Sequence, residues 1–270
     1  MNDMCISGCF VREIDEIDGD DVEAYGGKAA GLARMARAGI PIPPAIVIGT
    51  DAYGAFQAEG GRVPSPMAAE IRRSLASLER KTGRAFASDT DPLMVSVRSG
   101  AAISMPGMMD TILNLGLTAN SALALAGRTG KAGFVLDSWI RFWRMYADTV
   151  LDLDDDDLLE AMQGPIERAQ TEPTAATFAD LEAAILAHLR DEGAEVTADP
   201  HDQLVQTVAA VFRSWNSPRA KAYREHHHIA DTLGTAVTIQ AMVFGNADAD
   251  SGTGVAFTRD PNDGTKRLYG

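Results

Sequence analysis

A lysine that follows two glycines, at residues 26–28, is the first candidate for an anion site. The helix dipole disfavours a lysine in a first helical turn unless an anion lies at the same helix end. Backbone N–H groups and the Lys28 ammonium would then hold that anion together, and Gly26 and Gly27 would let the backbone approach it closely. The alternative is an exposed lysine in a glycine turn, which the triplet alone favours. The spacing of a Walker loop is absent here.

An arginine at the end of a strand-like segment is the second candidate. Arg98 closes the run LMVSVR and is followed by the loop SGAAISMPGMMDT. A planar guanidinium suits multidentate contacts with phosphate oxygens. The loop's three methionines, at positions 105, 108 and 109, are unusual for a solvent-facing loop. Composition alone supports two interpretations equally: a phosphate-binding loop, or a loop that buries its methionines and pairs Arg98 with a carboxylate.

The third candidate is the segment TIQAMVFGNADADSGTGVAFTRDP, at residues 238–261. A strand through residues 240–243 offers backbone donors and acceptors beside apolar side chains, as an adenine requires. The glycine turn at residues 251–254 is rich in N–H groups and suits a cover over phosphates. An ordinary hairpin with a glycine turn is the alternative. The candidate binding residues of this segment are Gln240, Met242, Val243, Ser251, Gly252, Thr253 and Gly254.

Strands flank a helical middle in the elements that must position these residues. Proline spacing, hydrophobic period and helix caps indicate an α+β class with a helical insertion, and not a regular βαβ alternation. The N-cap and proline pairs Asp199-Pro200 and Ser217-Pro218 predict two helix starts, and the three tryptophans fall on apolar stripes that predict a core position. Strands are predicted at residues 46–48, 93–98, 236–244 and 254–258 and in KRLY, and a short apolar segment lies at 112–117. Helices are predicted at 26–38, 51–58, 67–81, 135–150 and 178–189.

These segments, in this order, resemble the nucleotide domain of pyruvate phosphate dikinase. The resemblance rests on YGGKAAGLARMARAGIPIPPAIVI, VSVRSGAAISMPGMMDTILNLGL, FRSWNSPRAKAYR and GTAVTIQAMVFGNADADSGTGVAFTRDP. It extends over residues 25–270 and is weakest between residues 153 and 198. It implies an ATP-grasp-like fold that is incomplete and has a helical insertion subdomain. It also implies the conversion of ATP, phosphate and pyruvate to AMP, pyrophosphate and phosphoenolpyruvate.

The resemblance assigns roles to residues of this sequence. It implies that Lys28 and Arg98 act catalytically on the ATP phosphates, that residues 240–243 lie along the adenine, and that the turn 251–254 closes over the phosphates. The implied cofactors are ATP and Mg²⁺, with the Mg²⁺ ligands expected after Gly270. The phosphohistidine and pyruvate-binding domains of the family would be the partners. The chain is therefore expected to be a truncated ATP-binding portion without turnover of its own; a non-catalytic regulatory or interaction module is the alternative.

The predicted organisation has three parts. Residues 1–115 would form an α/β part with the phosphate-binding Lys28 and Arg98, and residues 116–200 the helical insertion. Residues 201–270 would form a second α/β part with the adenine strand and the glycine turn. An unpaired strand at the end of this part would allow a homodimer.

Composition limits the partners and the location. The 270 residues carry a formal net charge of −14, which disfavours nucleic acid and anionic membranes as partners. No apolar run reaches the ~18 residues of a membrane span, and the amino terminus lacks the order of a secretory signal, so a cytoplasmic location is expected. Cys5 and Cys9 have no further cysteine to complete a metal site. The run of four aspartates at residues 154–157 is expected to favour a helix start, and the histidines at residues 226–228 a solvated helix end.

Overall fold

The structure is a computed structural model that describes residues 9–247 and 249–270. Cys5 lies outside these residues. Cys9 is exposed at the surface, where its Sγ lies 2.9 Å from the Glu70 carboxylate. Among the helices of the described residues, none combines the length and the apolar character that a bilayer crossing requires.

The described strands form one antiparallel sheet of five strands and one short parallel pair. The strands are β1 (Val11–Glu13), β2 (Ala45–Ile48), β3 (Ala85–Phe86), β4 (Pro92–Leu93), β5 (Val95–Gly100), β6 (Thr111–Leu115) and β7 (Ala236–Ala241). The order in the large sheet is β1-β2-β7-β5-β6, and β3 pairs with β4. The last strand in the chain, β7, therefore lies in the centre of the sheet, hydrogen-bonded to β2 and β5.

Helices cover both faces of the sheet and form most of the segment between β6 and β7. They are α1 (Val22–Arg37), α2 (Thr50–Ala58), α3 (Ser65–Thr82), α4 (Ala119–Thr129), α5 (Ala132–Leu151), α6 (Asp155–Thr171), α7 (Ala175–Asp191), α8 (Pro200–Ser214) and α9 (Pro218–His226). The α+β class predicted from the sequence is confirmed.

The two faces of the sheet differ because side chains alternate along each strand. One face carries Val97 and Ile239 into the main hydrophobic core, which includes side chains of α2, α3 and α8. The other face is partly covered by α1, whose Ala29 and Ala33 belong to a second, smaller core. This smaller core leaves polar side chains of β5 and β7 beside α1, and they become the floor of a cleft described below.

The helical middle agrees with the predicted stripes and caps. Trp139, Trp143 and Trp215 are buried, and the Trp139 ring stacks on Phe178 with centroids 6.0 Å apart. The side chains of Asp199 and Ser217 accept backbone N–H groups at the starts of α8 and α9, as their N-cap assignment predicts. Asp154, the first residue of the aspartate run, caps α6 in the same way. The histidines at residues 226–228 are exposed at the end of α9.

Two predicted element limits are wrong, and two predicted strands do not form in the described residues. The first helix starts at Val22 and not at residue 26, because the Asp21 side chain caps it by accepting from the Ala24 N–H. Strand β7 ends at Ala241, so Met242 and Val243 lie beyond it. Residues 254–258 and the KRLY segment form no strand in the described residues; they meet only in one isolated antiparallel bridge between Phe257 and Tyr269. The side chains of this last segment are mostly exposed, so little packing favours a longer ladder.

The predicted division at residues 115 and 200 stays a prediction. In the structure β6 ends at Leu115 and α8 begins at Pro200. Helices α4 to α7 pack on one another between these points, in line with a helical insertion.

Candidate functional site

A kink in α1 fixes the first candidate residues. Gly26 has φ 76° and ψ 158° inside the helix, a conformation that is essentially restricted to glycine. It touches the end of β5 so closely that a Cβ on Gly26 would lie 1.9 Å from the Gly100 carbonyl oxygen. The next amide, on Gly27, donates to the Ala101 carbonyl over 3.0 Å. The helix therefore restarts directly against β5, with Lys28 in the first turn after the kink.

Two cations lie side by side at this point. The Lys28 Nζ donates to the Ser99 carbonyl oxygen over 2.8 Å. Partial burial lowers the pKa of Lys28, and the positive charge of Arg98 lowers this pKa further. In the described ranges neither Lys28 nor Arg98 forms an ion pair with a carboxylate. Because adjacent like charges repel, an anion bound between them would be stabilised by both.

A cleft of about 300 Å³ separates α1 from the sheet, and we call it the sheet cleft. Its floor consists of Arg98, Thr238 and Gln240, and its α1 wall of Gly27, Lys28, Gly31, Leu32 and Met35. The strand register places Arg98 directly opposite Thr238 on the neighbouring strand. The Gln240 side chain is anchored through its amide, which donates to the Pro43 carbonyl over 3.0 Å. The sheet cleft thus joins a cationic end to an apolar wall.

A second cleft of about 640 Å³, the loop cleft, opens on the other side of Lys28. Gly27 and Lys28 line both clefts. The remaining lining comes from Ser99, Ala101, Ala102, Ile103, Ser104, Met105, Pro106, Gly107, Met109 and Thr111. A ligand that extends through both clefts would therefore pass from one cleft to the other at Gly27 and Lys28.

The loop at residues 99–111, which we call the methionine loop, combines features of both interpretations of the sequence, phosphate binding and burial of the methionines. Met105 is buried, and Met108 packs in part against the main core, so the loop does bury its methionines. Arg98 is nevertheless left without a carboxylate partner among the described residues, as a phosphate-binding arginine requires. The loop is held to α9 by an ion pair between Arg219 and Asp110, and the Arg219 Nε also donates to the Met108 carbonyl over 3.3 Å. Burial raises the pKa of Asp110, and the Arg219 charge opposes that shift.

The structure brings together four of the predicted site residues and leaves the others apart. Gly27, Lys28, Arg98 and Gln240 meet in the sheet cleft, and Gly26 sets the kink beside it. Among the described residues, neither cleft is lined by Met242, Val243, Ser251, Gly252, Thr253 or Gly254.

These six residues have surroundings that differ from those of the residues in the clefts. The Met242 N–H donates to the Met94 carbonyl over 2.9 Å, and its sulfur accepts from the Asn114 N–H, so both groups are used within the sheet. Val243 is 75% exposed. The turn 251–254 packs on Gly245, where a Cβ would lie 1.9 Å from the Thr253 Oγ1. Their assignment to adenine and phosphate binding stays a prediction.

Sequence reasoning missed part of the cleft, although a signal for it was present. Thr238 lies two residues before Gln240, so alternation along a strand puts both side chains on the same face. Leu32 and Met35 lie at helical spacing from Lys28, and they form the apolar wall. The missing information was the pairing of β5 with β7, which no local pattern predicts.

The two clefts present cations and N–H groups that suit an anion, and their lining in the described part of the chain lacks a carboxylate. Neither cleft is lined by an aspartate or a glutamate among the described residues. Mg²⁺ prefers carboxylate oxygens and phosphates. In the described part of the chain, no group of three or more His, Cys, Asp or Glu side chains could hold a metal ion.

Comparison with known proteins gives one consistent family. Residues 61–269 match the family described as "Pyruvate phosphate dikinase, AMP/ATP-binding domain". Pyruvate, phosphate dikinase 1 of Arabidopsis thaliana (chloroplastic) is 44% identical over 250 residues, which is 91% of this chain. The pyruvate, phosphate dikinase of Rhizobium meliloti is 41% identical over 256 residues, or 93% of this chain. That of Giardia intestinalis is 43% identical over 253 residues, or 92%.

The matches cover little of the relatives' own length. The aligned segments amount to 26% of the Arabidopsis protein and 28% of the Rhizobium and Giardia proteins. The chain thus spans about a quarter of the length of the curated relatives that it matches.

Proposed function

The chain belongs to the family of the pyruvate phosphate dikinase AMP/ATP-binding domain, and from this membership we propose that its two clefts bind ATP. The triphosphate lies between Lys28 and Arg98. The observation that carries the proposal is this pair of cations, which share the sheet cleft and have no carboxylate partner among the described residues. In a protein with a net charge of −14, such a pair is a local exception that attracts an anion.

The proposed chemistry follows from the position of the two cations. In phosphoryl transfer the protein contributes mainly positioning and stabilisation of the charge on the phosphoryl oxygens. Lys28 at the junction of the clefts and Arg98 on the cleft floor are suited to that role, because both carry positive charge near one point. Mg²⁺ would accompany the phosphates and neutralise part of their charge when bound.

The remaining predicted residues complete the proposal. Residues 240–243 would lie along the adenine, with Gln240 already in the sheet cleft. The turn 251–254 would close over the phosphates after nucleotide binding, which requires it to move towards the clefts. This arrangement would be ATP-grasp-like. Pyruvate and phosphate as co-substrates, and the phosphohistidine and pyruvate-binding domains as partners, are proposed for the whole protein by similarity to the relatives.

Isothermal calorimetry with the 270-residue chain tests the proposal. We expect ATP with Mg²⁺ to bind with a Kd between about 1 µM and about 1 mM, the range of substrate constants in enzymes. Tripolyphosphate should bind as well, and adenosine much more weakly, because the cations recognise the phosphates. Either of two results would contradict the proposal. One is adenosine binding as tightly as ATP. The other is neither heat of binding nor a rise in melting temperature at an ATP concentration about ten times the upper limit of this range.

The lowered pKa of Lys28 gives a pH-dependent prediction. A bound triphosphate favours the ammonium form, so it raises the pKa that burial and Arg98 lower in the free protein. At a pH between the pKa of Lys28 in the free protein and its pKa in the ATP complex, Lys28 takes up a proton when ATP binds. ATP affinity therefore falls as the pH rises through this interval. Calorimetry in buffers of different ionisation enthalpy should show proton uptake that grows as the pH rises into the interval between these two pKa values.

Lys28→Arg is the matched control for this prediction. A guanidinium keeps the charge and does not titrate in this pH range. Proton uptake should therefore disappear in Lys28→Arg even where ATP still binds. Equal proton uptake by the wild type and by Lys28→Arg would assign the proton to another group.

A further inference from the structure

A hydroxyl group without a partner lies in the floor of the sheet cleft. Thr238 is 1% exposed, and its Oγ1 has no hydrogen-bond partner among the described residues. The strand register places Thr238 opposite Arg98, and both line the sheet cleft together with Lys28. Buried hydroxyls in folded proteins are normally hydrogen-bonded, so this one needs an explanation.

The polar neighbours of Thr238 on the same face of the sheet do have partners. The Ser96 Oγ lies 3.5 Å from the Gln240 carbonyl oxygen, which it faces as a donor. The Gln240 amide donates to the Pro43 carbonyl. On this face of the sheet, the polar side chains one register step away thus have partners, whereas the Thr238 hydroxyl has none among the described residues.

A second unpartnered hydroxyl shows what sets Thr238 apart. Thr207 in α8 is fully buried, and its Oγ1 also has no partner among the described residues. Thr207 lines neither the sheet cleft nor the loop cleft, and its helix packs on the opposite face of the sheet. Burial without a partner is therefore shared by both threonines and by Ser99, whose side chain alternates to the other face of β5. The position opposite Arg98 in the sheet cleft, which Lys28 also lines, belongs to Thr238.

We infer that the Thr238 hydroxyl donates a hydrogen bond to a phosphate oxygen held between Lys28 and Arg98, and that it fixes where this oxygen sits. The inference rests on the proposed function. A hydroxyl donor complements the two cations because Lys28 and Arg98 supply long, mobile side chains, whereas Thr238 is β-branched and stands on the central strand. The ligand class is a phosphate or polyphosphate oxyanion, which suits the two cations and supplies the acceptor that the hydroxyl lacks.

Three variants of the 270-residue chain test this inference. Thr238→Val removes the hydroxyl at nearly constant shape, Thr238→Ser keeps it, and Thr207→Val removes the unpartnered hydroxyl outside the clefts. Thr238→Val removes a hydrogen bond to a charged group, so we expect its ATP affinity to fall about tenfold. Thr238→Ser and Thr207→Val should bind ATP within about twofold of the wild type, a change within ordinary mutational scatter.

Thermal unfolding without ligand provides a readout that a structural role would change. Because the hydroxyl has no partner in the fold, unliganded Thr238→Val should melt at or above the wild-type temperature. The same variant should nevertheless show a smaller rise in melting temperature with ATP. Weaker binding without weaker folding is the signature expected of a ligand-binding hydroxyl.

Each other outcome has a distinct meaning. Wild-type affinity in Thr238→Val would overturn the inference and leave the proposed function standing. Equal losses of ATP affinity in Thr238→Ser and Thr238→Val would assign the effect to packing. A lower melting temperature of unliganded Thr238→Val would reveal a structural partner of the hydroxyl. Either result overturns the inference. If the wild type binds no ATP or tripolyphosphate, the proposed function fails and the inference with it.

Discussion

Replacing Arg98 by alanine is expected to weaken ATP binding about a hundredfold, the largest loss for any single side chain of the clefts. Arg98 is exposed in the sheet cleft and has no carboxylate partner among the described residues, so its removal leaves no buried charge behind. The loss should therefore report on the ligand and not on folding. Calorimetry measures the affinity, and thermal unfolding without ligand should stay near the wild type.

A second observable accompanies this substitution. The charge of Arg98 contributes to the lowered pKa of Lys28, so Arg98→Ala should move that pKa back towards its ordinary value. Proton uptake on ATP binding at alkaline pH should then shrink. Arg73→Ala is the matched control, because Arg73 is an exposed arginine of α3 that lines neither cleft. ATP affinity in Arg98→Ala equal to that of Arg73→Ala would refute the placement of the triphosphate.

Gly26→Ala should have the largest effect on stability. The new Cβ would lie 1.9 Å from the Gly100 carbonyl oxygen, and the residue would keep a φ of 76° that side chains rarely adopt. Backbone must shift to relieve such a contact. We expect a loss of about 4 kcal/mol in the free energy of unfolding, or about 10 °C in melting temperature. Differential scanning calorimetry measures both.

Gly31→Ala is the control for this substitution. Gly31 lies in the same helix, and a Cβ there would meet no atom within 4 Å. An alanine in an ordinary helical position should leave the free energy of unfolding unchanged or raise it by about 0.5–1 kcal/mol. If Gly26→Ala were as stable as Gly31→Ala, the kink could not be what fixes α1 against β5.

Local signals in the sequence predicted the elements that depend on neighbouring residues. The Asp199-Pro200 and Ser217-Pro218 pairs mark the starts of α8 and α9, because a cap needs only the next few residues. The apolar stripe through Trp139 and Phe142 indicates α5 for the same reason. The resemblance to a family also singled out Lys28 and Arg98, which the structure places in one cleft.

Features that depend on distant parts of the chain were not predicted. The kink at Gly26 requires the Gly100 carbonyl next to it, and the place of Thr238 requires Arg98 on the neighbouring strand. Neither contact leaves a periodic pattern in the sequence. The strand predicted at residues 254–258 illustrates the opposite error: its composition favours a strand, but only the Phe257 and Tyr269 bridge forms in the described residues.

The central position of β7 has a consequence for the order in which the protein can fold. The strand pairs β1–β2 and β5–β6 are complete by residue 115, yet their facing edges join only through a strand that begins at residue 236. During synthesis both edges stay open to wrong pairing until that strand emerges, and closing so long a loop slows the last step. Because Thr238 and Gln240 belong to that strand, the cleft lacks two of its three floor residues before β7 inserts. A nascent chain therefore completes the proposed ligand site at the same moment as its sheet.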